Sequence, residues 1–163
     1  MFAILVVIFI LLFIILLMSE IIKINQKLEV FVPQFDNSYW PISKISNQPP
    51  FIFWHNTPKN TVSYALILEH VKNSVRRVHW LVYNIPAKET KLDIQNNLTT
   101  GLNFLNNNKY IPPNKYGIEV YAFTLYALNG FMDFGDKKVN IHNFLPAIKN
   151  SIIQKSEKAF IVM

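Results

Sequence analysis

Val78-His79-Trp80-Leu81-Val82-Tyr83-Asn84-Ile85-Pro86 is the stretch on which the reading of this chain turns. Its β-branched and aromatic residues favour extended backbone, and Pro86 ends the run because it has no N–H to give a ladder. The same signature recurs on either side. Val62 to Leu68 is continuously apolar apart from Ser63, as in a strand buried on both faces. Ile118 to Leu128 (IEVYAFTLYAL) alternates and packs aromatics, and is the strongest strand in the chain. Phe51-Ile52-Phe53-Trp54 is a shorter one, closed by the turn-like His55 to Asn60.

The connections read differently. Lys72 to Arg77 is a basic loop, and Ala87 to Asn108 has no sustained period and reads as a long loop in which Gly101 allows a tight bend. Tyr110 to Gly117 is a rigid loop around Pro112 and Pro113, and Asn106-Asn107-Asn108 is a solvated turn. Pro33, Pro41, Pro49 and Pro50 break the earlier chain into short extended pieces. Helical spacing appears only late. Val139, Ile141, Phe144, Leu145, Ile148 and Ile152 mark one face of a helix of roughly 14–16 residues, in which Pro146 implies a kink or a later start. Ala159 to Met163 adds a terminal strand. The sum is a mainly β domain with few helices, the late one packed on one side of the sheet.

Ahead of this domain, Phe2 to Met18 consists only of Phe, Ala, Ile, Leu, Val and Met. As a helix, the uncharged run to Ser19 spans about 28 Å, close to the ~30 Å hydrocarbon core of a bilayer. A cleaved signal peptide wants an early basic residue and small residues before the cut, and here no Lys or Arg precedes Lys23. The expectation is a single-pass, membrane-anchored protein: 1–19 a transmembrane anchor, 20–27 a short juxtamembrane stalk, 28–163 one domain. Glu20 and Glu29 offset Lys23 and Lys27, so the side of the membrane stays open.

All 16 Lys and Arg and all 10 Asp and Glu follow the apolar run, giving the domain the full formal charge of +6. The basic residues are scattered and form no recognisable nucleic-acid motif, so no nucleic-acid partner is expected. The chain has no cysteine, which excludes disulfides and thiol catalysis. Asn97-Leu98-Thr99 is a glycosylation acceptor only if it faces a lumen. No Gly-x-Ser-x-Gly elbow is present, which speaks against a nucleophilic hydrolase. The abundance of Ile, Asn and Lys suits an AT-rich genome, for which a large DNA virus is one source.

Four stretches together carry a resemblance. Pro49-Pro50-Phe51-Ile52-Phe53-Trp54 with Pro58 and Thr61 to Leu66 is one, and Val78 to Pro86 is the second. Tyr110-Ile111-Pro112-Pro113 with Gly117 to Tyr121 is the third, and Phe123 to Leu128 continues from it. In this order they resemble the phosphatidylethanolamine-binding protein family, which includes the Raf kinase inhibitor proteins, over about residues 28–163. The resemblance implies an antiparallel β-sheet domain with a C-terminal helix. It also implies a small pocket for phosphate-like and phospholipid-headgroup anions, where imidazoles near a carboxylate supply converging donors.

Carried over by position, His79 matches the first pocket histidine and Tyr121 the pocket tyrosine, with Pro112 and Pro113 walling the site. The departures are Glu69-His70 where the family has an acidic, proline-bearing loop, and Glu119 where it has a second histidine. Glu69 stands in for one acid. A carboxylate beside an anion is costly, since like charges 4 Å apart repel by roughly 4 kcal/mol at an effective dielectric of 20. Glu119 therefore needs a proton or a partner among Lys72, Arg76 and His70. The expected ligand-binding set is His79, Tyr121, Pro112, Pro113, Glu69, His70 and Glu119. No cofactor is expected. His70, His79, Glu69 and Glu119 suit zinc in type but lack a close-spaced motif, so no metal is expected either. The plain alternative for His79 is a strand histidine satisfied by a backbone partner. The function implied is a non-enzymatic, membrane-anchored family homologue with a partly degenerate headgroup pocket. The alternative is a structural or protein-interaction module that kept the scaffold and lost the ligand.

Overall fold

Long apolar strands β4 (Ser63–Lys72), β5 (Val75–Pro86) and β7 (Glu119–Leu128) form the centre of the molecule. The computed structural model describes residues 2–25, 27–35, 38–95, 97–114 and 117–163, with the side chains of 2–5 and 20–25 outside that description. The remaining strands are β1 (Glu29–Phe31), β2 (Tyr39–Trp40), β3 (Phe53–His55), β6 (Thr99–Thr100) and β8 (Ile152–Val162). Two α-helices, α1 (Phe2–Asn25) and α2 (Ile141–Ile148), and one 3-10 turn (Ile42–Lys44) complete the described elements. The larger sheet runs β2-β8-β7-β4-β5-β6, antiparallel throughout except that β2 runs parallel to β8. Strands β1 and β3 pair as a separate antiparallel ribbon.

Strand alternation splits the apolar residues between two cores. On one face Tyr64, Leu66, Leu68, Trp80, Val82, Tyr121, Phe123, Leu125 and Phe160 pack with Val30, Trp40, Ile52 and Trp54. The ribbon is fixed over β8 by side chains: the Leu28 amide donates to Gln154 Oε1 (2.9 Å) and the Val30 amide to Ser156 Oγ (3.1 Å). On the other face Ala65, Ile67, Leu81 and Leu128 meet Phe144 and Ile148 of α2. The helix does pack on one side of the sheet, as expected.

Several boundaries differ from the sequence reading, each for a local reason. The basic loop over 72–77 is a hairpin in which β4 and β5 pair up to Lys72↔Val75. Only Asn73 (φ 48°) and Ser74 (φ 65°) turn, both left-handed, as a two-residue hairpin loop with matching twist requires. The late helix has 8 residues rather than 14–16. Asn140 starts it with a reciprocal capping box, its side chain accepting from His142 and Asn143 while Asn143 Oδ1 accepts from the Asn140 amide. The terminal strand begins at Ile152 rather than Ala159, because Lys155 to Lys158 extend the ladder against β7 while carrying charge.

The N-terminal expectation is corrected. The apolar run is helical, but among the described residues no helix is long and apolar enough to cross a membrane. Described side chains on α1 run from Val6 to Ser19. The transmembrane element, the anchor and the single-pass membrane localisation are therefore not retained. The side chains of the expected stalk from Glu20 to Gln26 lie outside the described residues, as do Lys115 and Tyr116 of the proline loop.

Candidate functional site

A β-bulge aims the first site histidine. Leu68 pairs with Trp80 and Glu69 pairs with Val78, so His79 is the extra residue between them on β5. The bulged strand is clamped to the proline loop: His79 Nδ1 donates to the Ile111 carbonyl (3.0 Å), and the Ile111 amide donates to the His79 carbonyl (3.0 Å). A carbonyl only accepts, so Nδ1 carries the proton. Pro112 is half-buried and Pro113 buried beside this clamp. The plain reading of His79, a backbone partner within a strand, is thus part of what the structure shows.

Three rings gather around it. Tyr121 lies edge-on to His79 with centroids 5.1 Å apart and stacks on His70 at 4.9 Å. Phe104 lies 5.0 Å from His79, and the two imidazoles are 6.2 Å apart. Burial pushes the His79 pKa below its ordinary value, against the favourable carbonyls of Ile111 and Pro112, and His70 and Arg77 push it further down. Tyr121 is buried, and its phenolic oxygen accepts from the Asn114 amide at 3.0 Å.

Beside His70 opens a hollow of about 470 Å³, lined by His70, Lys72, Asn73, Val75, Arg77, Asn114 and Glu119. Glu119 is gripped from both sides. Lys72 Nζ donates to its Oε1 and His70 Nε2 meets its Oε2, each at 2.9 Å. Those two contacts, the His70 hydrogen bond foremost, hold the carboxyl below the usual carboxylate range. The condition set by the sequence, that Glu119 needs a partner, is met by His70 and Lys72. Arg76, the third candidate, is elsewhere.

Of the expected set, the structure brings His70, His79, Glu119 and Tyr121 into one contiguous cluster with the Pro112–Pro113 loop behind it. His79 and Tyr121 do not line the hollow and adjoin it through His70, which contacts both rings. Glu69 is not brought there. It projects from the opposite face of β4, 6 % exposed, with Arg76 Nη1 donating to its Oε2 at 3.0 Å. Arg76 also bonds Glu157, which accepts from Thr124 Oγ1. Adjacent strand residues face opposite ways, so Glu69 and His70 cannot serve the same hollow. The four-ligand set considered for zinc is accordingly not assembled. The sequence reading missed Arg77 and Asn114. Arg77 lies directly across from His70 in the ladder, a relationship hidden while 72–77 read as a loop.

Solved structures with the same architecture carry little sequence likeness. A phosphatidylethanolamine-binding protein homolog from Chlamydia trachomatis superposes with a TM-score of 0.71 at 23% identity, over 84% of this chain and 97% of that one. Escherichia coli YbcL gives 0.70 at 18% identity, over 84% and 98%. A phosphatidylethanolamine-binding protein from Plasmodium falciparum gives 0.52 at 16%, over 86% and 87%. No curated protein matches the chain. The model of the phosphatidylethanolamine-binding protein family matches residues 22–162, and the chain belongs to that family.

Proposed function

We propose that the chain binds a phosphate-bearing anion of the phospholipid-headgroup class in the hollow lined by His70, Lys72, Arg77 and Glu119, and catalyses no reaction on it. One observation carries this reading. Both oxygens of the wall's carboxylate are taken by Lys72 and His70, so the acid that ought to repel an anion is neutralised. Arg77 remains on the same wall with no ion pair among the described residues, and its planar fork suits two phosphate oxygens. A hollow of this size falls within the range of small-ligand sites. The described wall offers donors and charge but no hydroxyl or thiol nucleophile, which favours binding over chemistry.

The test is titration of the full chain with inorganic phosphate and with phosphorylethanolamine, followed by calorimetry or by amide shifts of residues 70–79. Saturable binding is expected, weakened about tenfold by Arg77→Gln. A flat response to both compounds would overturn the reading and leave the scaffold as a protein-interaction module without a ligand.

A further inference from the structure

We infer that this hollow discriminates against a cationic amine and prefers phosphate esters that carry only negative charge. The inference rests on the anion-binding reading above and narrows it to a ligand class. A zwitterionic headgroup such as phosphorylethanolamine has two requirements, donors for its phosphate and an uncompensated carboxylate for its ammonium. The wall meets only the first. Its one described carboxylate is Glu119, and Lys72 Nζ and His70 Nε2 already occupy Oε1 and Oε2, both at 2.9 Å.

The other acids near the sheet do not help. Glu69 and Glu157 belong to the opposite face, where Arg76 ties them together. Counting formal charges on the described wall, Lys72 and Arg77 outweigh Glu119 by one, before any proton on His70. An incoming ammonium would therefore meet a net positive wall and would compete with Lys72 for Glu119. An uncharged hydroxyl in the same place meets neither cost. The two departures of the sequence, an imidazole at 70 and an acid at 119, form a self-contained pair. Lys72 beside that pair cancels the one negative charge available to a headgroup amine.

A matched pair of probes isolates the effect: phosphorylethanolamine and 2-hydroxyethyl phosphate, which differ in an ammonium against a hydroxyl. The full chain should bind 2-hydroxyethyl phosphate about fivefold or more tightly than phosphorylethanolamine at low ionic strength. Lys72→Gln removes one cation and frees Glu119 Oε1, so the preference should shrink or reverse. Lys72 is exposed at the hairpin end, and folding is checked by the unchanged melting transition. Equal affinity for the two probes, or tighter binding of the amine, would sink this inference and leave the anion site standing. Absence of saturable binding by either probe would take down both.

Discussion

His79 and Ile111 exchange two hydrogen bonds, Nδ1 to carbonyl and amide to carbonyl, each 3.0 Å long. The exchange fixes the imidazole as a neutral Nδ1–H tautomer within a ring of aromatic side chains, where burial disfavours its protonated form.

Stability should follow that titration. The folded-state pKa of His79 is depressed, so in the window below the ordinary histidine value the unfolded chain binds more protons than the folded one. The stabilisation is complete above about pH 6.5 and is lost as the pH falls towards the folded-state value. Urea midpoints at pH 7.5 and pH 5.5 should show the lower pH less stable, with a smaller gap in His79→Gln. Glu119 contributes in a separate, more acidic window, because its lowered pKa delays the loss of the Lys72 and His70 contacts. A gap of equal size in wild type and variant would assign the pH dependence to other groups.

The position of Glu69 invites a second measurement. Its carboxylate is 8 % exposed and bonded to Arg76 on the face away from the hollow. Glu69→Gln should cost about 1–2 kcal/mol in chemical denaturation, since a buried charge-assisted bond is weakened. The same variant should leave phosphate affinity within about twofold of wild type. A loss of affinity comparable to that of Arg77→Gln would put Glu69 back in the site.

At the hairpin, Ser74 sits at φ 65° with no glycine to relieve the strain. Ser74→Gly should therefore raise stability by about 0.5–1 kcal/mol, because the left-handed backbone no longer crowds a Cβ. Ser74→Val should lower it by more. The readout is the denaturation midpoint at constant slope. An indifferent or destabilising glycine would mean that the turn is held by something other than its backbone preference.

Gly101 is expected to be intolerant of any side chain. A Cβ there would run into the Leu81 side chain and come within 3.1 Å of the Val139 carbonyl oxygen. Gly101→Ala should cost about 1–3 kcal/mol, as overpacking does in a close-packed core. Adding Leu81→Ala should yield a favourable coupling of at least about 0.5 kcal/mol in a double-mutant cycle. Strict additivity would place the strain on the carbonyl instead.

The central strands were legible because their residues are apolar on both faces: Tyr64 to Leu68 and Trp80 to Val82 are nearly all inaccessible to solvent. Continuous hydrophobicity survives any uncertainty of register. The hairpin at Asn73–Ser74 was harder, since Lys72, Arg76 and Arg77 are extended yet solvated, and charge masks strand character at a sheet's end. The first part of β8 was hidden in the same way by Lys155, Glu157 and Lys158. For the site, the family resemblance carried over by position pointed to His79, Tyr121 and Glu119. Placing Glu69 in the set beside His70 came from matching charge type rather than strand parity, which only the register resolves. Calling the apolar leader a membrane anchor followed from composition, whereas among the described residues no helix is long and apolar enough to cross a membrane.

Strand β8 lies between β2 and β7, although every other strand precedes it in the chain. Tyr39 and Trp40 pair with Ile161 and Val162, more than a hundred residues later, and the Ile42 amide donates to the Met163 carbonyl. A ribosome making this protein therefore exposes the whole outer edge of β7 until the last strand emerges. Folding can only close once synthesis has passed residue 162, and the pairings of such long sequence separation make that closure slow. During this interval the nascent sheet has an open, aromatic-rich border, which is the natural point of engagement for a holding chaperone.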